Sequence, residues 1–198
     1  MFYDAIANTH GLEFDPFKAL VAPRPIGWIS TLGKNGVVNL APYSFFNAVG
    51  TDPHYLMFSS GGRKDSQRNA EEMGEFVCSL ATYDLRDAMN RTSQHVGPDV
   101  DEMELAGLTQ APSKLVAPPR VKESPVAFEC RYWRTVTLPG HDDEPGTYSI
   151  VLGKVVGVHI DDAVITDGKV DVTKLKPLAR LGYGDYAVID EVFTLTRP

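Results

Sequence analysis

The chain has 198 residues, 43% of them hydrophobic and 23% charged, a balance that excludes a disordered chain and supports a buried core without a disulfide or metal staple. A net charge of −7 sets the molecule as a whole against nucleic acid, and no basic patch offsets it. No apolar run approaches the ~18 residues of a membrane span, and no basic run leads into an apolar stretch at the start, so the expectation is a cytoplasmic protein with no membrane partner.

In chain order, the first signal is alternation: Ile26, Trp28 and Ser30 share one face of an extended segment, Gly27, Ile29 and Thr31 the other. The turn GKNG at Gly33 to Gly36 predicts a hairpin. Its second arm, VVNLAPYSFF, is interrupted by Pro42, which has no N–H to give a ladder and marks an edge, a bulge or a strand end. HYLMFSS from His54 and EFVCSLAT from Glu75 follow as strands. Between them DSQRNAEEMG predicts a short helix, with Asp65 or Ser66 as N-cap and Gly74 as C-cap.

DLRDAMNRTSQ from Asp84 predicts a second short helix, and the proline-rich APSKLVAPPRVKESP predicts extended surface chain. Alternation returns at Val126, Phe128, Cys130 and Tyr132, then in TYSIVLGKVVGVHI and DYAVIDEVFTLT; the acidic loop PGHDDEPG, Pro139 to Gly146, joins two of these strands. Hairpin spacing with short helices predicts an antiparallel sheet closed into a barrel, as one domain over residues 1–198. Cys78 and Cys130 stand far apart in strand-like segments without metal-ligand spacing and read as core thiols, so no metal is expected. Asn90-Arg91-Thr92 reads as a chance match to a glycosylation acceptor.

Two segments suggest a ligand. The strand ending in Ser59, Ser60, Gly61 and Gly62 feeds Arg63, Lys64, Asp65 and Ser66 into a helix N-terminus, which supplies backbone N–H groups, hydroxyls and two cations, the parts of a phosphate site. On the turn alone, Ser66 as a mere cap beside solvated Arg63 and Lys64 remains the alternative. Neither the GxxxxGK[ST] nor the GxGxxG spacing is present. Around the proline-broken strand end, Asn39, Ser44 and Asn47 are mixed with Tyr43, Phe45 and Phe46, a combination suited to a flat heteroaromatic ring with a polar edge. The competing possibility is that Phe45 and Phe46 are core and the asparagines satisfy turns.

Taken together and in order, PRPIGWIST, NLAPYSFFNAV, LMFSS, RKDSQRN and LARLGYGDYAVIDEVF resemble the flavin reductase-like family of FMN-binding split barrels, in the bacterial branch close to flavoredoxin. The resemblance implies a mainly β fold: an antiparallel split β-barrel with Greek-key connections and a few short flanking helices, forming a homodimer with FMN in two clefts near the interface. It implies that Lys64, Asp65 and Ser66 hold the phosphate and ribityl chain, that Ala41, Pro42, Tyr43 and Ser44 lie along the flavin, and that Asn47 stands beside it. Asn39, Ser59, Ser60 and Arg63 belong to the same expected cofactor site, with Arg24, Thr31 and Arg180 as further candidates.

The activity so implied is an NAD(P)H-dependent flavin reductase-like oxidoreductase working through the isoalloxazine. The alternatives are a non-catalytic FMN electron carrier reduced by a redox protein partner, a barrel for another phosphorylated ring such as pyridoxal phosphate, or a barrel with no ligand. No catalytic residue is assigned, because hydride transfer to a flavin requires no acid or base, and His54 and His159 read as structural or surface histidines. Where many relatives carry Gly-Gly, this chain has Gly182-Tyr183-Gly184, so Tyr183 is expected to cover part of the cleft.

Overall fold

The structure, a computed structural model, describes residues 1–141 and 144–197. A one-turn helix, α1 (Phe17–Leu20), and a two-residue strand, β1 (Arg24–Pro25), lead into the barrel strands. These are β2 (Gly27–Leu32), β3 (Val38–Tyr43), β4 (Phe46–Thr51), β5 (His54–Gly61) and β6 (Glu75–Leu80), with helix α2 (Asp65–Met73) between the last two. An excursion carries α3 (Arg86–Arg91), α4 (Glu102–Leu105), β7 (Gln110–Ala111) and β8 (Arg120–Val121). The long pair β9 (Val126–Pro139) and β10 (Pro145–Ile160) follows. Last come the small hairpin β11 (Ile165–Thr166) and β12 (Lys169–Val170), helix α5 (Val172–Leu175), and strands β13 (Leu178–Arg180) and β14 (Tyr186–Val188).

Seven strands make one antiparallel sheet in the order β3-β2-β6-β9-β10-β5-β4. Its two edges, β3 and β4, are consecutive in the chain and separated only by Ser44 and Phe45, so the sheet has to curl until its edges meet at those residues. No ladder joins the two edges among the described residues, which makes the barrel a split one. The passage from β5 to β6 through α2 links strands that are not neighbours, a Greek-key connection.

Alternation along β2 serves two cores, because successive strand side chains point to opposite faces. Trp28 enters a core with Leu40, Met89 and Met103, beneath α3 and α4. Ile29 enters the barrel interior with Phe58, Phe76, Cys78 and Cys130. Each large side chain buried there contributes about 1.5–3 kcal/mol. Gly27 is required by close approach, since a Cβ at that position would lie 2.3 Å from the Phe46 ring. Both cysteines are free and buried as expected, and burial pushes the Cys78 thiol up to about 12.

Four expectations need correction. The interruption of VVNLAPYSFF expected at Pro42 falls later: Pro42 stays in register opposite Trp28 within β3, the strand breaks at Ser44, and Phe46 begins the strand at the opposite edge of the sheet. DYAVIDEVFTLT forms a strand only at Tyr186–Val188, where β13 offers a partner; beyond it Val192, Phe193 and Leu195 are 64%, 85% and 80% exposed. The N-cap of α2 is Lys64, and no side chain caps it, while Gly74 does close the helix in the left-handed conformation. The proline-rich segment is not all surface, since Val121 is fully buried and Ser30 donates to the Pro119 carbonyl at 2.5 Å. Of the PGHDDEPG loop, Asp142 and Asp143 lie outside the described residues.

Candidate functional site

Edge strand β3 and the N-terminus of α2 are held together by side chains. Asn39 Nδ2 donates to Ser66 Oγ at 2.9 Å, and Asn69, one turn further along the helix, donates to Thr31 Oγ1 of β2 at 3.2 Å. These contacts dock α2 so that Lys64, Asp65 and Ser66 form one wall of a cleft of ≈ 350 Å³. Asn39, Ala41, Pro42 and Tyr43 of the edge strand line the same cleft, as do Thr92 to Val96 and Glu102. With no capping side chain, the first-turn N–H groups of the helix remain a positive end of the peptide dipoles.

Charge in this cleft is unevenly compensated. Arg63 pairs with Glu71 at 2.8 Å and with Glu72 at 3.6 Å, and Arg68 pairs with Asp65. Lys64 has no carboxylate partner among the described residues. Glu102 is 6% exposed and accepts the Leu40 N–H at 2.9 Å. Burial pushes its carboxyl up, with the Asp65 and Asp101 charges acting in the same direction, so Glu102 is more easily kept protonated beside an anion than an ordinary glutamate. Burial likewise raises the Tyr43 hydroxyl, against the opposing hydrogen-bond effect of Ser66 and Ser60.

The edge strand itself offers groups to a ligand. In an antiparallel strand one residue's N–H and C=O point to the same side and sides alternate, so Leu40, whose N–H goes to Glu102, and Pro42 both face the open edge. Pro42 therefore presents a carbonyl there with no N–H beside it. A larger cleft of ≈ 810 Å³ shares Pro42 and Ser93 with the first and adds Ser44 and Arg180. A third, of ≈ 580 Å³, lies along Ser44, Asn47 and Ser59 with Phe45, Met57 and Leu138.

Eight of the expected residues thus share one cleft: Asn39, Ala41, Pro42, Tyr43, Arg63, Lys64, Asp65 and Ser66. Ser44 stands where the other clefts meet, while Asn47 and Ser59 line the third cleft and not the first. Asn47 also turns its Oδ1 to the Ala48 N–H at 2.8 Å. Thr31 and Ser60 are not brought to these clefts: both are fully buried and bond to Asn69 and to the Gly62 carbonyl respectively. Arg24 is 6% exposed and lines the third cleft; its terminal nitrogens donate to the carbonyls of Lys18, Val21 and Leu181, while its buried Nε has no hydrogen-bond partner among the described residues. Tyr183 stands at φ +54°, the left-handed region glycine prefers, with its ring edge-on to Phe14 at 5.9 Å; it does not cover the lysine-lined cleft.

The far wall, Thr92 to Val96 with Glu102, went unread in the sequence. Thr92 accepts from Trp28 Nε1 at 2.9 Å and donates to the Met89 carbonyl at 2.8 Å, which leaves its hydroxyl buried and explains the glycosylation-like triplet as structural. His95 lines the cleft beside Ser93 and Gln94. His159 is structural, its Nε2 2.5 Å from Glu129 Oε1. No group of metal-ligating side chains is found among the described residues.

Comparison with known proteins gives the same assignment for most of the chain. Residues 20–178 match the model of the flavin reductase like domain. YwrF of Bacillus subtilis is 38% identical over 195 residues, covering 93% of this chain and 94% of its own. Nitrilotriacetate monooxygenase component B from Bacillus cereus superposes with a TM-score of 0.90 at 33% identity, covering 98% of each chain. The 2-nitrobenzoate 2-nitroreductase NbaA of Pseudomonas fluorescens superposes with a TM-score of 0.86 at 26% identity, over 100% of this chain and 96% of that one.

Proposed function

The chain belongs to the flavin reductase-like family, and on that premise we propose that it binds FMN and passes electrons through the isoalloxazine ring as an NAD(P)H-dependent oxidoreductase. The observation that carries this is Lys64, a cation without a carboxylate partner among the described residues, set beside Ser66 and an uncapped helix end on the open edge of the barrel.

The residues fit the group. A phosphate calls for N–H donors, a hydroxyl and a cation, and the α2 N-terminus, Ser66 and Lys64 supply them. Ser66 Oγ accepts from Asn39, and its O–H is a donor that an anion in the cleft can take. The Pro42 carbonyl at the open edge is an acceptor for a ring N–H, and the joined clefts run from Lys64 past Pro42 to Ser44. FMN bound here supplies the electron chemistry, and the chain supplies binding, orientation and shielding from water.

Two copies complete the protein in this proposal. Val192, Phe193 and Leu195, with Phe14, Phe17 and Leu20, are apolar and exposed on a single chain, more than scattered surface residues call for, and a second copy is the covering partner. The similarity to a monooxygenase component and to a nitroreductase supports a catalytic role over a passive carrier.

The experiment is the visible spectrum of the purified protein reconstituted with FMN, followed anaerobically as NADH and then NADPH are added. Fast bleaching with one nucleotide is expected and names the donor. Bleaching with dithionite alone would assign the chain to electron carriage between proteins, and failure to retain FMN would overturn the proposal.

A further inference from the structure

Ser44, at the junction of the barrel's two edges, is surrounded by cations in a chain whose net charge is −7. A cleft of ≈ 430 Å³ lined by Ser44 also carries Lys18, Arg24 and Arg180. Arg24 and Arg180 are cross-strand partners on β1 and β13, and none of these three cations forms an ion pair among the described residues. The one acidic residue of that cleft, Asp15, is turned to its own loop, accepting the Phe17 N–H at 2.8 Å.

Arg180 is held in place without being neutralised. Its guanidinium carbon lies 4.4 Å from the centre of the Tyr186 ring, and one nitrogen donates to the Tyr183 carbonyl, which leaves its other donors without a protein partner among the described residues. Across the ≈ 810 Å³ cleft that Arg180 also lines, Arg86 stacks on Tyr83 at 4.3 Å. Asp87 opposes it, 3.7 Å from an Arg86 nitrogen and largely in solvent, a weak counter-charge. Two guanidinium groups fixed on aromatic rings thus face a cleft floored by Pro42, Ile26 and Leu178.

We propose that this rim selects the second substrate of the flavin: a planar molecule bearing a carboxylate or a phosphate, whose anionic group is bound by Arg180 with Lys18 and Arg86 on either side. Planar guanidinium forks match both anions, and the apolar floor accepts a ring. The proposal rests on the FMN reading, because Ser44 is what sets the rim beside the flavin.

The test uses two pairs that differ in the anionic group, benzoate against benzamide and nicotinamide mononucleotide against nicotinamide riboside, titrated into the FMN-loaded protein and followed by the flavin spectrum and by calorimetry. In at least one pair the member bearing the anionic group binds about tenfold more tightly than the member without it; the carboxylate pair and the phosphate pair separate a small aromatic acid from a nicotinamide nucleotide as its source. Arg180→Gln removes the preference and Arg180→Lys keeps part of it, while the flavin spectrum before titration reports whether FMN is still bound. Should Arg180→Gln fail to fold, Lys18→Gln reports the same preference through an exposed position, lowering it about threefold. Equal binding within both pairs, no binding of any probe to protein that holds FMN, or a preference that survives Arg180→Gln and Lys18→Gln would overturn the proposal. If the protein holds no FMN, the FMN reading fails on its own, and calorimetry on the flavin-free chain decides the anion site by the same selectivity.

Discussion

Asn39 donates its side-chain amide to the Ser66 hydroxyl at 2.9 Å, tying the open edge of the barrel to the start of α2 with both residues buried. The contact fixes the Ser66 oxygen in the wall of the cleft. An oxygen that accepts from Asn39 has its one proton to offer, and the cleft holding Lys64 is where an anion can take it.

Ser66→Ala therefore removes a donor to a charged group and leaves the buried Asn39 amide without its acceptor. We expect FMN affinity to fall by about 1.5–3 kcal/mol, and by less for Asn39→Ala, which loses orientation but not the donor. Titration by flavin fluorescence quenching measures both, and equal losses would contradict the assigned direction of the bond.

The close approach of Phe46 to Gly27 gives a second expectation. Gly27→Ala drives a methyl into the ring at 2.3 Å, with an overpacking cost of about 1–3 kcal/mol. Adding Phe46→Leu relieves part of that cost. Urea melts of the two single variants and the double variant check it; additive losses would mean that the two residues do not press on each other.

Glu129 provides a pH-dependent test. Fully buried, it accepts the N–H groups of Lys114 and Leu115 at 2.7 and 2.6 Å and meets His159 at 2.5 Å, fastening the proline-rich excursion to β9. Burial works to raise its carboxyl, but His159 and the two N–H donors outweigh this and hold it below the ordinary range. A lowered carboxylate binds fewer protons folded than unfolded, so its contribution is present above the unfolded value and is lost as pH falls through the folded one. Glu129→Gln should lower stability by about 1–3 kcal/mol at neutral pH, and the gap in Tm should narrow as pH drops below about 4. A gap that stays constant with pH would contradict the ionised, hydrogen-bonded assignment.

Local pattern made much of this molecule legible. The β2–β3 hairpin followed from alternation and from Gly36, which takes the positive φ its turn requires, and Pro42 announced the edge strand through its missing donor. The split of the barrel did not show, because Tyr43 to Phe46 is aromatic-rich and carries no glycine or proline while the break there is topological: two residues connect strands that end up on opposite edges of the sheet. The tail beyond Val188 alternates like a strand yet finds no edge within its own chain. At the site, the lysine turn and edge strand were readable because each carries its chemistry in a few consecutive residues. Glu102 was not, being 62 residues from the Leu40 N–H it accepts, with nothing nearby in sequence to report the meeting. Thr31, Ser60 and Arg24 stand apart from the lysine-lined cleft for the converse reason: Thr31 and Ser60 bond to Asn69 and to the Gly62 carbonyl, and the terminal nitrogens of Arg24 go to main-chain carbonyls, partners no sequence pattern names.

The most direct test of the central claim compares FMN with riboflavin, which lacks the phosphate, in the wild-type protein, in Lys64→Gln and in Arg63→Gln. The wild-type protein is expected to bind FMN about 10–100-fold more tightly than riboflavin; Lys64→Gln removes most of that difference while leaving riboflavin affinity nearly unchanged, and Arg63→Gln, whose cation is already paired with Glu71 and Glu72, keeps it. Equal affinity for the two flavins in the wild-type protein, or an FMN preference untouched by Lys64→Gln, would contradict the assignment of this turn to the phosphate.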